Sequence, residues 1–230
     1  MARPPPPIPH WPTLLLLGYL PLVKILATLA NAGEAWSLAL FYGGGLLLSA
    51  GVLAWEGGWE SLNPLLKSPL RGIWVGACLF GGLMALAALL LFWPAPQPYI
   101  PLWLHHLISL FDPFTVSMAY ESGEWNAAPW DFLRAGLGGL AEEWVFRGVL
   151  LWRWLGSEDG EYPYPSTLGP WGRVVALNAY FALLHWPATQ PELAVAFLGG
   201  CVLSLLLIWR RNLWIIGTLH LAFNWKMLVG

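Results

Sequence analysis

Apolar residues fall in long runs along this chain, each about as long as a helix needs to cross a hydrocarbon layer of roughly 30 Å. We read seven such runs. The first extends from Trp11 to Ala30, interrupted by Pro21 and Lys24, and the second from Trp36 to Trp55 around Gly43, Gly44 and Gly45. The third runs from Gly72 to Trp93. A proline-rich connection follows, then a mixed stretch from Leu102 to Tyr120 whose polar residues His105, His106 and Asp112 mark it as interfacial or re-entrant. The fourth run, Asp131 to Leu151, carries Glu142 and Glu143. The fifth, Val174 to Trp186, is short and ends at Pro187, and Leu193–Trp209 and Leu213–Val229 complete the set. The pattern predicts an all-α, polytopic integral membrane bundle of about seven helices.

Composition agrees with this reading. Hydrophobic residues make up 57% of the chain and charged residues 10%, with a mean hydropathy of +0.58. A soluble domain carries far more charge. The net charge of -2 excludes a broadly basic nucleic-acid-binding surface. Arg3, Lys67, Arg71, Arg153, Arg173, Arg210 and Arg211 all fall on one side of the predicted spans, and Lys226 lies near the other end. The positive-inside rule then puts the amino terminus in the cytoplasm; the expected location, which this rule does not decide, is the inner membrane of a prokaryotic cell. The first run follows the Pro4–Pro7 tract and lacks a clear small-residue cleavage site, so it reads as a retained span. The 17 tryptophans read as interfacial anchors at span ends. Cys78 and Cys201 read as small apolar packing residues.

Against this background the polar residues at membrane depth are few: Glu142, Glu143, Arg147, Asn178, His185, His220 and Asn224. Each is costly there and needs a partner or a cavity. Glu143 and Arg147 are four apart and can pair on one helix face. They read equally well as a structural ion pair. Glu142 lies about 100° further round and is the freer carboxylate. Counting about 1.5 Å of rise per residue from the cytoplasmic helix ends puts Glu142, His185, His220 and Asn224 all at roughly 12 to 18 Å depth. A carboxylate, two imidazoles and an amide in one layer are the parts of a hydrolytic site.

Two chemistries fit those groups. In one, His185 and His220 together with Glu142 hold Zn²⁺, which polarises a carbonyl and lowers the pKa of a bound water, while the remaining glutamate is the base. In the other no metal takes part: Glu142 with His185 activates water, and His220 and Asn224 donate to a developing oxyanion. Asn178 reads as a bridge between helices, Phe181 as packing, and Gly136, Gly138, Gly139, Gly199 and Gly200 as points of close helix approach.

The blocks Glu142-Glu143-x-x-x-Arg147, Phe181-x-x-x-His185 and His220-x-x-x-Asn224, in this order, resemble the intramembrane CAAX protease and bacteriocin-processing family. The resemblance covers Asp131 to Val229; residues 1–130 match only as generic membrane helices. It implies a multi-helix membrane core with Glu142 as catalytic base, Glu143 and Arg147 as its supporting pair, and His185, His220 and Asn224 as the remaining site groups. It implies a protein or peptide substrate in the membrane, lipidated or not, and it leaves the metal open, because members are described both as metalloproteases and as metal-independent glutamate proteases. The expected organisation is one membrane domain, with N-terminal helices over 1–130 and the catalytic core over 131–230. A proton-coupled transporter is disfavoured because the polar groups cluster in the carboxyl-terminal half. A non-catalytic scaffold or immunity protein would not need the site groups.

Overall fold

The computed structural model describes residues 11–30, 39–55, 59–92, 129–155, 169–185 and 190–229. The Pro4–Pro7 tract, residues 36–38, the connection 94–128 with the expected interfacial stretch and its His105 and His106, and the Trp186–Pro187 end of the fifth run lie outside them. Among the described residues every element is helical, as the hydrophobic pattern requires.

Helix α1 spans Trp11–Leu29. A π-helical turn, Ala39–Gly43, leads into α2, Gly44–Trp55. Next come α3, Trp59–Leu66, and α4, Pro69–Phe92. Helix α5, Pro129–Glu142, passes directly into a nine-residue π-helix, Glu143–Leu151, and then into α6, Trp152–Leu155. The last three are α7, Pro170–Leu183, α8, Gln190–Arg210, and α9, Leu213–Val229. Two sequence expectations change. The fourth run is longer than Asp131–Leu151 and wider in its second half. Helix α3 was not expected: Leu62 and Leu65 are fully buried while Trp59, Glu60 and Asn63 are exposed, a three-residue spacing too short to register as a span.

The chain divides into two compact units, one of residues 1–67 with 141–213, the other of 68–140 with 214–230. In the first, α2, α3, α7 and α8 pack with the π-helix of residues 143–151, α1 packs on α2, and α7 packs on α8. Proline shapes this packing. Pro21 has no N–H to offer the carbonyl of Leu17 one turn earlier, and the hydroxyl of Tyr180 on α7 donates to that carbonyl instead. In the second unit, α9 lies along α5. Asn224 Nδ2 donates to the carbonyl of Ala135 at 3.2 Å, and Trp225 Nε1 to that of Phe132 at 2.7 Å.

Two stretches, Pro69–Leu90 and Glu192–Arg210, are long and apolar enough to cross a membrane, and Pro12–Ala27 and Ala39–Trp55 are shorter apolar helices. Their outward faces are apolar: Leu79, Leu83, Leu86 and Leu89 on α4 and Leu198, Val202 and Leu205 on α8 are exposed. Soluble monomers rarely show such continuous apolar surface.

Between α3 and α4, Ser68 has φ 53°, a left-handed conformation that costs an L-residue about 1–2 kcal/mol and glycine almost nothing. Ser68→Gly is expected to raise the unfolding midpoint in detergent by up to the equivalent of about 1 kcal/mol, less the entropy glycine adds to the unfolded chain. Ser68→Val should lower it, and a higher midpoint for valine would show the conformation is not held.

Candidate active site

Glu143 and Arg147 form the centre of the first unit. Both side chains are 1% exposed, and Arg147 Nη1 donates to Glu143 Oε1 at 2.8 Å. Their backbone is π-helical. The N–H of Trp152 reaches back five residues to the carbonyl of Arg147, a wide turn found disproportionately at functional positions. The α-helical angle assumed between Glu142 and Glu143 therefore does not hold past residue 142.

A buried ion pair needs partners for its other polar atoms, and a chain of groups from α7 and α8 supplies one for Arg147 Nη2. Arg147 Nη2 donates to Asn178 Oδ1 at 2.9 Å. Asn178 Nδ2 in turn donates to Ser204 Oγ at 2.9 Å and to the carbonyl of Val174 at 2.8 Å, and Ser204 Oγ donates to the carbonyl of Gly200 at 2.8 Å. The bridging role read for Asn178 is what the structure shows, and it ends on the arginine of the first motif block. Gly200 is what lets α8 come this close. A Cβ there would lie 2.4 Å from Asn178 Oδ1 and 2.7 Å from Arg147 Nη2. Gly200→Ala should therefore destabilise the protein by about 1–3 kcal/mol, measured by thermal unfolding in detergent. An unchanged midpoint would mean the network can move aside. Gly199, read in the same way, meets nothing within 4 Å.

Phe181 joins the first block to the second. The guanidinium carbon of Arg147 stands 4.5 Å from the centre of its ring, a cation–π contact, and the imidazole of His185 packs edge-on against the same ring at 4.7 Å. Its carbonyl also faces His185 Nδ1 at 3.0 Å. A carbonyl only accepts, so Nδ1 carries a proton, and the neutral tautomer that this contact selects has Nε2 as its acceptor. Phe181 is thus packing, as read, and also the piece that orients His185. The turn that carries His185 closes α7: the His185 N–H bonds the carbonyl of Ala182 at 2.9 Å.

Glu142, 8% exposed, accepts at Oε1 from the hydroxyl of Tyr42 at 2.9 Å. Lys24 on α1 donates to the carbonyl of Leu184, next to His185, and its charge also interacts with the Glu142 carboxylate. The sequence reading named neither Tyr42 nor Lys24 as a site group. Lys24 could have been found, being an ionisable residue inside a predicted span. Tyr42 gave no signal, since tyrosine is ordinary at membrane depth.

His220 and Asn224 belong to the second unit, where both face Gly139 of α5. A Cβ there would lie 2.9 Å from Asn224 Nδ2 and 3.4 Å from the His220 ring. Among the described residues no three His, Cys, Asp or Glu side chains are grouped so as to hold a metal ion.

Residues 124–226 match the family model described as type II CAAX prenyl endopeptidase Rce1-like. Over these residues, a little under half of the chain, the protein is similar to the Rce1-like family. All three motif blocks lie inside it, so the resemblance drawn from them is borne out. The Rce1-like family is membrane-embedded and consists of CAAX-type endopeptidases, which are proteases acting on a protein or peptide substrate in a membrane. Comparisons with curated proteins and with solved structures gave no match.

Proposed function

We propose that this Rce1-like protein is a polytopic intramembrane endopeptidase that hydrolyses a peptide bond by a glutamate-activated water. Glu142 is the base. It takes a proton from water as the water oxygen adds to the scissile carbonyl, and returns it to the leaving amine nitrogen as the C–N bond breaks. His185 Nε2 accepts a hydrogen bond from the same water. His220 and Asn224 are assigned, from their place in the third block, to donate to the oxyanion. The Glu143–Arg147 pair holds the π-helix that presents Glu142.

The observation that carries this reading is the joining of the first two blocks through Phe181, with Glu142 anchored beside them by Tyr42. The exposed apolar faces of α4 and α8 support a membrane location; seven spans and a cytoplasmic amino terminus in a prokaryotic inner membrane are proposed from the apolar runs and the placement of basic residues in the sequence. The substrate class follows the family, a CAAX-type protein or peptide, prenylated or bare.

Vesicles containing the purified protein, incubated with a farnesylated CAAX peptide and its unprenylated counterpart, test it by mass spectrometry of the products. Cleavage of the prenylated peptide alone assigns a lipidated substrate. Cleavage of both assigns the peptide as the recognised part. If neither peptide is cut and the Glu142→Gln comparison in membranes is also silent, the protease reading falls in favour of a scaffold. His185→Ala should lose at least about a hundred-fold in rate if His185 positions the water; full activity in that variant would remove His185 from the mechanism.

A further inference from the structure

The matched segment begins at residue 124, yet two of the groups nearest Glu142 and His185 lie far before it. We propose that the α1–α2 region, outside the matched segment, supplies two positioning residues: Tyr42, which holds the Glu142 carboxylate, and Lys24, which holds the turn bearing His185. The proposal rests on the reading of Glu142 as the base.

Three observations converge on it, all within the first unit. The Tyr42 hydroxyl donates to Glu142 Oε1 at 2.9 Å, which restrains the rotation of the carboxyl group. The ring of Tyr42 is itself set edge-on against Phe41, at 5.3 Å between centres, on the π turn that opens α2. Lys24 donates to the carbonyl of Leu184, one of the last carbonyls of α7, which have no helical N–H to accept from. Tying that carbonyl down fixes the peptide next to His185.

The attachment is reinforced on either side. Tyr180 of α7 donates to Leu17 of α1, and Trp144 Nε1, two residues after Glu142, donates to Ser49 Oγ of α2 at 3.1 Å. The N-terminal helices thus reach both the carboxylate and the imidazole turn, one polar group to each. A hydrogen bond from a hydroxyl to a carboxyl oxygen is strong whenever that carboxyl is charged.

The test uses the full chain in lipid nanodiscs. Subtracting the infrared spectrum of Glu142→Gln from that of the parent isolates the Glu142 carboxylate stretch, in the wild-type and in the Tyr42→Phe background. Tyr42→Phe is expected to shift that band and to lower kcat by roughly ten- to a hundred-fold at unchanged KM. Tyr19→Phe, which removes a hydroxyl bonded to the carbonyl of Leu40, is the control expected to do neither. Lys24→Met should speed amide hydrogen exchange at Leu184 and His185, and Lys24→Arg should restore protection.

An unshifted band in Tyr42→Phe overturns the contact, and a shifted band with unchanged kcat overturns its role in positioning. Unchanged exchange in Lys24→Met overturns the second residue. If the wild type cleaves no peptide, the protease reading fails by itself, while the band and the exchange rates still decide whether the two residues hold Glu142 and the His185 turn.

Discussion

Membranes containing Glu142→Gln are expected to lack every new protein terminus that the wild type produces at matched abundance. The amide keeps the shape of the carboxyl group and can still accept the Tyr42 hydroxyl bond at its oxygen, so folding should be preserved. What it cannot do is take a proton from water, and a positioned base typically contributes about 10²- to 10⁴-fold to a rate. Terminal peptides identified by mass spectrometry in the two membranes measure this directly. Termini unique to the wild type also name the substrate and the bond. Identical sets of termini, with both proteins folded and abundant, would remove Glu142 as the base.

The largest effect on stability is expected at Arg147. Replacing it with methionine keeps much of its volume but leaves the Glu143 carboxylate in a side-chain environment that is 1% exposed. Removing one partner of a buried pair costs about 3–5 kcal/mol, because the remaining charge is stranded, whereas replacing both with apolar groups is often close to neutral. Arg147→Met should therefore be severely destabilised, and Glu143→Leu/Arg147→Met should recover a large part of the loss. Recovery stays incomplete because Asn178 Oδ1 and the Phe181 ring lose the guanidinium in both variants. Denaturant or thermal unfolding in detergent measures both. A loss under about 1 kcal/mol in the single variant would show that water reaches Glu143.

How much of this could be read in advance varies from residue to residue. The helices of residues 44–55, 69–92, 190–210 and 213–229 were legible because an uninterrupted apolar run has few other solutions. Their ends were less so, since uniformly apolar helices offer no polar stripe, and α7 begins at Pro170, ahead of the first apolar residue of its run. The Glu143–Arg147 pair followed from spacing and charge. The π-helix beneath it did not, because a pattern of apolar residues does not reveal whether N–H groups reach back four residues or five. Phe181 was legible as packing but not as the link between Arg147 and His185, which depends on how α7 meets the π-helix. Tyr42, Ser204 and Gly200 act through contacts with residues far away in sequence, and no local pattern encodes those.

Pro21 has a consequence that reaches beyond α1. Lipid tails are as apolar as leucine, so helices in a bilayer gain little from hiding apolar surface against one another, and interhelical hydrogen bonds help to keep them associated. By withholding one N–H from its own helix, Pro21 leaves the Leu17 carbonyl available as an adhesive point for Tyr180. Alanine there would make α1 the better isolated helix and the poorer neighbour. At this position secondary-structure propensity and assembly oppose each other, and the protein favours assembly.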